Sequence, residues 1–526
     1  MLIDSASDAA IVKDGQVTLP RRAVVDDDGL ALQQSLLNVF CGEGSNEAKG
    51  LKAAEVVTAA ALKRGRMFYH AECRDFSTAM YFDRGTKSLL RLRSDEFQSW
   101  LSSWCGVNRA SKFWKYITTR LENESLSGAG TTGIVPEQFW AARKSAVYLS
   151  CGQGHVAKVT ATGVTMEDNG VDGVLFEAKK VCATWRLLDG PGADPIEACS
   201  IFRDIHAEAD HGKMLFRLWL FGLPCCTPTK PVLGNIGEIG SGKTRLAKAA
   251  AELYGVPWVA ASVDDSAEAE RNFWVNCDNG GLYILDNVDS KVKWLPDAIA
   301  AAATDGGKPV RRLYTTNDVV TMRARAWCVI TSAQPSFASD AGLADRMLVL
   351  RMNRHGTETE DGQLSAEIEA ARDAGLTFIC RTLSKALATR AQKENLNFRH
   401  PDWATLAVRI SKALDMEDAG RHAIKAAERD KSQFCIANDA VGSAVLALVE
   451  KEGRWEGDGA ALAEALGQVD EALQHDPWRI NAKKAGRWVA RVLPHLKQVV
   501  DAVVEENRST NTKYYRLGRK YEESPF

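Results

Sequence analysis

The sequence has no uncharged stretch approaching the ~18–20 apolar residues that a membrane-crossing helix needs. Its best apolar candidate, Met214–Leu223, is broken by Arg217 and followed by Pro224. The first thirty residues carry scattered Asp and no apolar run, so no secretory leader is expected there and a cytoplasmic location is. CxxC pairs are missing: the twelve cysteines stand singly apart from Cys225-Cys226 and read as reduced, mostly buried thiols. His70/Cys73 and Cys151/His155 have spacings a metal could use, but no second pair completes four zinc ligands. Neither sign of charge is in excess. Lys plus Arg number 66 and Asp plus Glu 68, for a net charge of −2. That balance argues neither for nor against nucleic acid, because a basic face can be offset elsewhere. Residues 1–190 show no paired acids with a metal-binding motif and no zinc ribbon, so neither nuclease nor primase chemistry is expected of them.

What is present is length and pattern. At 526 residues, the chain has room for roughly three domains of about 150 residues each. Residues 1–30 read as a polar, mobile tail with an acidic tip, Asp26-Asp27-Asp28. Residues 31–190 mix helical patches and short strands, an α+β region of unassigned role. Within it Phe97, Trp100, Leu101 and Trp104 predict a helix over Glu96–Cys105. Ala146–Leu149, Val156–Val159, Gly173–Phe176 and Cys182–Leu187 predict short strands. Leu188–Asp194 reads as a turn-rich linker. Residues 195–355 alternate strand and helix, the pattern of an α/β core with a parallel sheet. Residues 356–435 read as helical. Residues 438–520 read as a last small unit with two helical patterns, a third helix from Asn481 to about Leu493, and a hairpin.

The most specific pattern is Gly237-Glu238-Ile239-Gly240-Ser241-Gly242-Lys243-Thr244, which fits GxxxxGKS/T at every fixed position. An apolar strand, Val232–Ile236, precedes it. A helix follows, with Leu246, Ala249, Ala250 and Leu253 on one face. Glycines let the backbone wrap phosphates, and N–H groups at the helix start point at negative charge. Lys243 is expected to reach the β and γ phosphates of ATP and the Thr244 hydroxyl to bind Mg²⁺. Forty-two residues after Thr244, the apolar strand Leu282–Leu285 ends in Asp286. An acid leaving a strand beside such a loop can hold the Mg²⁺ shell. Asn287 stands where a water-orienting acid is usually sought, leaving Asp289 and Glu238 as candidates or a site that binds ATP and hydrolyses it poorly. A strand over Trp327–Ile330 leads to Thr331 and Ser332, polar groups placed to touch the attacked phosphate or its water. Arg346, just before the strand Met347–Leu350, has two readings: an arginine finger reaching a neighbouring subunit's ATP, or an arginine paired locally with Asp345 or Asp340.

GEIGSGKT, LYILDNVD, the run from Asp305 to Arg325, AWCVITSAQ and LADRMLVLRM occur in the same order as in the AAA+ helicase-type ATPases of phages and mobile elements. The chain resembles that group, which is related to superfamily 3 and to the ATPase half of poxvirus-type helicase-primases. The resemblance is strong over 195–355 and hardly reaches 1–190. It implies a P-loop AAA+ core and a homo-oligomeric ring, a hexamer, with ATP between subunits and DNA in the pore. Lys243 and Thr244 then take the Walker A roles, Asp286 the Walker B role, Thr331 or Ser332 the sensor role and Arg346 the finger role. Two departures stand out: Thr331-Ser332 where the sensor is often Asn, and Asn287 where a second acid is common.

Two basic segments are candidate DNA contacts. Val310–Tyr314 and Val319–Arg325 predict a hairpin before the sensor strand, made basic by Lys308, Arg311, Arg312, Arg323 and Arg325. Such a hairpin could grip single-stranded or forked DNA through its phosphates. Residues 477–520 hold eleven Lys or Arg against three acids. Lys483, Lys484, Arg487 and Arg491 recur at helical spacing, and a hairpin follows, which is the layout of a winged helix with duplex DNA at its third helix. The leading expectation is an ATP-driven DNA helicase or translocase for replication of a mobile element. The alternatives are a nucleotide-gated DNA-binding initiator or loader with little unwinding, and an ATPase of antiviral defence.

Overall fold

The computed structural model describes residues 11–13, 16–18, 26–178, 183–205, 207, 211–311, 319–335, 337, 340–354, 359–389, 396, 398–475, 479–507 and 512–520. The chain packs as two compact units. One comprises Met1–Ala141, Leu149–Ala157 and Met166–Lys180; the other comprises Ala142–Tyr148, Lys158–Thr165 and Val181–Phe526.

In the first unit, helices Asp27–Cys41, Asn46–Arg64, Asp95–Cys105 and Trp114–Ser127 accompany a four-stranded sheet. Its apolar core includes Leu36, Val57, Tyr81, Phe97, Leu101 and Ile117. The expected helix over 96–105 forms because Ser94 caps it, accepting from Phe97 N, and Gly106 ends it in the left-handed region. The expectation of a tail through residue 30 is corrected. Asp26 caps a helix that begins at Asp27, and its other carboxylate oxygen pairs with Arg64. Arg64 also holds the buried Asp83 at 2.6 Å, so the acidic tip belongs to the folded unit.

Residues 140–168 form a separate four-stranded sheet in the order Gly163–Asp168, His155–Thr160, Ala146–Gly152, Trp140–Arg143. The expected strand over 173–176 is not formed. Gly170, Asp172 and Gly173 all have positive φ, making a turn, while Val174, Leu175 and Phe176 are buried all the same. Pairing is limited to isolated parallel bridges, Phe176 with Glu137 and Glu177 with Leu89, and the Asn169 side chain takes up the backbone of Phe176: its amide donates to Phe176 O at 2.9 Å and its oxygen accepts from Phe176 N at 2.8 Å. Residues 183–187 of the expected strand over 182–187 are irregular, and Cys182 lies outside the described residues.

The second unit carries a five-stranded parallel sheet built from β1 (Val232–Gly237), β2 (Trp258–Ala261), β3 (Leu282–Leu285), β6 (Trp327–Ser332) and β7 (Met347–Met352). The spatial order is β2-β3-β6-β1-β7, and every neighbouring pair is parallel. β3 and β6 are buried along their whole length, as strands covered on both faces must be. Alternate residues supply one core: Val232, Ile236, Tyr283, Leu285, Cys328, Ile330, Met347 and Val349 pack with Phe273 and Trp274 of helix α2 (Ala267–Asp278) and Leu295 and Ile299 of α3 (Leu295–Ala302). Helix α1 (Lys243–Tyr254) follows β1. Between β3 and β6, β4 (Gly307–Arg311) and β5 (Val319–Arg323) pair antiparallel, with Gly307 opposite Arg323. The expected turn Thr315–Asp318, with Arg312, lies outside the described residues.

Three long helices follow: α4 (Asp361–Ala388), α5 (Pro401–Ala413) and α6 (Glu417–Ala437). The chain ends in α7 (Ala440–Glu452), β8 (Arg454–Asp458), α8 (Gly459–Val469), α9 (Ala482–Val499), β9 (Val500–Asn507) and β10 (Thr512–Arg519). β10 lies between β8 and β9, antiparallel to both. Val445, Leu462, Leu466, Val489, Leu496 and Leu517 join these elements in one core. β8 was absent from the sequence-based expectation, and α9 runs six residues beyond the expected end at Leu493, through Pro494.

Candidate functional site

The carboxyl ends of parallel strands are where an open α/β sheet receives ligands, and the candidate residues gather there. The loop from β1 to α1 is a tight one. A Cβ on Gly237 would fall 2.1 Å from the carbonyl oxygen of Met352 on β7, so only glycine fits. Gly240 and Gly242 have φ of 85° and 78°. Ser241 is fully buried, whereas Ile239 at the crest is 84% exposed. Asn235, an amide inside an apolar strand, fastens the start of α1 by donating to Lys243 O at 3.0 Å.

Lys243 lies under the loop. Its Nζ donates to the carbonyls of Gly237 and Glu238, at 2.7 Å each. Burial lowers its pKa, against the attraction of Asp289, Asp286 and Glu238. The Glu238 side chain is exposed.

Three side chains from three segments converge beside the loop. Thr244 Oγ1 donates to Asp286 Oδ1 at 2.5 Å, and Thr331 Oγ1 donates to the same oxygen at 2.8 Å. The parallel register explains the meeting. Leu285 pairs with Ile330 on β6, so Asp286, the first residue past β3, emerges beside Thr331, which is still held in β6 opposite Asn235 of β1. Asn287 N in turn donates to Thr331 Oγ1 at 3.0 Å. Asn287 has φ 52°, a conformation that asparagine tolerates better than most residues.

Asp289 is placed differently. One of its oxygens accepts from Ser332 Oγ at 2.6 Å, Ala333 N at 2.8 Å and Gln334 N at 3.0 Å. Burial works against ionisation here, but those bonds and Lys243 outweigh it and hold the carboxyl below its usual value. Thr331 and Ser332 thus serve different acids.

Arg346 sits just before β7. Its guanidinium donates to Gly342 O at 2.5 Å and forms no ion pair among the described residues. Asp345 is turned elsewhere, to Lys431 and Arg399, and Asp340 accepts from Leu343 N. The local pairing considered from sequence is therefore not formed.

The basic candidates separate. Lys308 pairs with Glu270 of α2 at 2.6 Å. Arg323 is exposed, and its backbone N donates to Asp278. Arg311 closes the register of the hairpin opposite Val319. On α9 the four expected residues do not share one surface. Lys483 and Arg487 line a groove of about 660 Å³ with Asp458 at the start of α8 and with Glu506, Lys513 and Tyr515 of the strand pair. Lys484 turns back to the carbonyl of Arg479 and lies over Trp488. Arg491 pairs with Asp439, the buried cap of α7. Lys513 and Tyr515 were not singled out from sequence as site residues; Lys513 counted only among the eleven basic residues of 477–520, and Tyr515 only by its place in the hairpin.

The family-model matches begin at residue 202. Residues 202–430 match a family model described as the actinomycete integrative conjugative element replication protein, AICE_RepA. Residues 441–524 match the model of the AICE RepA C-terminal domain. No curated protein matches the chain. Among solved structures, the A-form apo structure of the NrS-1 C-terminal region aligns with a TM-score of 0.41 at 11% identity, over 88% of this chain and 99% of that one. The apo structure of NrS-1 residues 305–718 aligns at 0.38 and 11%, over 94% and 100%. Together the two family matches, which fall either side of the α6–α7 junction, show that residues 202–430 and 441–524 are similar to a replication protein of a mobile element.

Proposed function

We propose that this chain is a replication protein that binds ATP with Mg²⁺ in the loop Gly237–Thr244 and hydrolyses it between subunits of a hexameric ring to translocate on and unwind DNA. The observation that carries the reading is the meeting of Thr244, Asp286 and Thr331 at the mouth of a glycine loop that opens a helix. A hydroxyl and a carboxylate 2.5 Å apart are oxygen donors of the type Mg²⁺ takes, so the residues present fit that ion. Bound there, Mg²⁺ would supply positive charge to the phosphates. Lys243 would exchange its two carbonyl partners for phosphate oxygens. Thr331 would hold Asp286 in place, and Asp289, ionised and fixed by three donors, would orient water. Arg346, with no carboxylate partner among the described residues, would stabilise charge on a neighbouring subunit's nucleotide.

The groove of Lys483, Arg487 and Lys513 would receive duplex DNA in the manner of a winged helix, and the β4–β5 hairpin would contact a strand in the ring. A second reading, a nucleotide-gated initiator that unwinds little, draws support from Asn287 where an acid would serve hydrolysis. The family matches to replication proteins favour both readings over a role in antiviral defence. Unwinding of a forked DNA by wild type and by Lys243→Ala tests the proposal. ATP-dependent unwinding by the wild type, abolished in the variant, is expected. ATP-dependent DNA binding without unwinding would sink the motor and leave the initiator.

A further inference from the structure

Beyond the residues of the loop itself, we infer that Arg354 is a second phosphate-contacting cation of the same nucleotide site; the inference rests on the ATP-binding reading above. β7 runs parallel to β1, with Met352 in register with Gly237. The chain leaving β7 therefore emerges at the loop, and Arg354 is only two residues past the end of the strand. A Cβ built on Gly240 would lie 3.3 Å from Arg354 Nε and 3.6 Å from its Cζ. The guanidinium thus lies along the outer edge of the loop, in space that glycine leaves free. Arg351, three residues earlier, is directed elsewhere, over the ring of Phe434.

Arg354 is exposed and forms no ion pair among the described residues. Lys243 bonds the carbonyls of Gly237 and Glu238 and Arg354 lies beside Gly240, so two cations stand against different residues of one loop. An arginine without a carboxylate, held against a loop whose N–H groups suit an anion, has the chemistry of phosphate recognition: a planar set of donors that stays charged at any working pH. Its contribution is to binding and placement of the polyphosphate, in the same subunit as the loop, and so differs from that of Arg346.

The test is displacement of a fluorescent ATP analogue from the full chain by ATP and by adenosine, for wild type, Arg354→Ala, Arg354→Lys and Lys243→Ala. Arg354→Ala is expected to weaken ATP binding about tenfold, the scale of one charge-assisted hydrogen bond. Adenosine should compete as in the wild type, and Arg354→Lys should recover part of the loss. ATP affinity within twofold of wild type in Arg354→Ala, with binding abolished in Lys243→Ala, overturns the inference and leaves the nucleotide site standing. Equal weakening of ATP and adenosine overturns the phosphate assignment. Unaltered ATP binding in Lys243→Ala overturns the nucleotide site, and the inference with it.

Discussion

Lys431 of α6 is a buried lysine, 1% exposed, whose Nζ sits 3.0 Å from Oδ1 of Asp345, the residue next to Arg346. The same ammonium reaches Glu428 at 2.7 Å and the backbone carbonyl of Asp345 at 3.1 Å. The segment carrying Arg346 is thereby fastened to the helix that leads into the C-terminal elements. Lys431→Met is expected to destabilise the chain by about 2 kcal/mol. That lies below the ~3–5 kcal/mol of a fully buried pair, because Asp345 and Glu428 keep some water. Urea unfolding measures the loss. If Arg346 serves hydrolysis, ATP turnover should fall in this variant while ATP affinity holds; equal loss of both would detach the anchor from that role.

Thr244 and Asp286 are expected to separate in their metal dependence. Thr244→Val keeps the shape and removes the hydroxyl, so half-maximal ATP turnover should need more Mg²⁺. Asp286→Asn should cut turnover by roughly a hundredfold or more with ATP binding retained, since charge near the transferring phosphate is removed. Titration of turnover against Mg²⁺, alongside nucleotide binding, checks both. An unchanged Mg²⁺ requirement in both variants would remove the pair from the metal site.

The basic residues of α9 should divide into two classes. Lys483→Ala with Arg487→Ala should lower the salt dependence of duplex binding by about two, roughly one for each phosphate no longer neutralised, without changing stability. Arg491→Ala should instead destabilise the C-terminal elements, because Asp439 is 2% exposed and is deprived of its cation. Asp439 keeps its bonds from Val441 N and Gly442 N, so the cost is expected at about 2 kcal/mol. Binding isotherms at several salt concentrations and thermal unfolding of each variant distinguish the classes.

His400 sets a pH limit on stability. Burial chiefly, with Lys431 and Arg399 nearby and Asp345 pulling the other way, pushes its pKa down to about 4. The unfolded value is about 6.5, so between these two pH values the unfolded chain takes a proton that the folded chain refuses. The stabilisation is complete above pH 6.5 and is lost as pH falls toward about 4, by an amount on the order of 3 kcal/mol. The unfolding temperature should therefore drop more steeply from pH 7 to pH 5 in the wild type than in His400→Phe. Equal slopes would show that other groups carry the acid sensitivity.

Legibility varied with how local the causes were. The loop Gly237–Thr244 and its flanking strand and helix could be read directly, because each element's pattern is complete within a few residues. The helix over 95–105 could be read for the same reason. The segment 173–176 could not. Its apolar side chains are buried as a strand's would be, but its pairing stops at isolated bridges and Asn169 takes up the backbone of Phe176, and an amide seven residues away leaves no periodic mark. Likewise the acids at 26–28 have the composition of a tail, and the tie of Asp26, the helix cap, to Arg64, 38 positions later, is what joins them to the folded unit.

By itself the sequence determined the glycine loop, its lysine and threonine, the order of strands and helices around it, and where basic residues concentrate. These follow from backbone geometry and from short-range periodicity. Only the tertiary structure decided which side chains meet. Parallel register brought Asp286 to Thr331, the close approach of β7 to β1 excluded every residue but glycine at 237, and the same approach delivered Arg354 to the loop's edge. It also parted Lys483 and Arg487 from Lys484 and Arg491, which helical spacing alone places together. Spacing sets the direction in which a side chain leaves its helix. The partner it finds depends on segments far away in the chain.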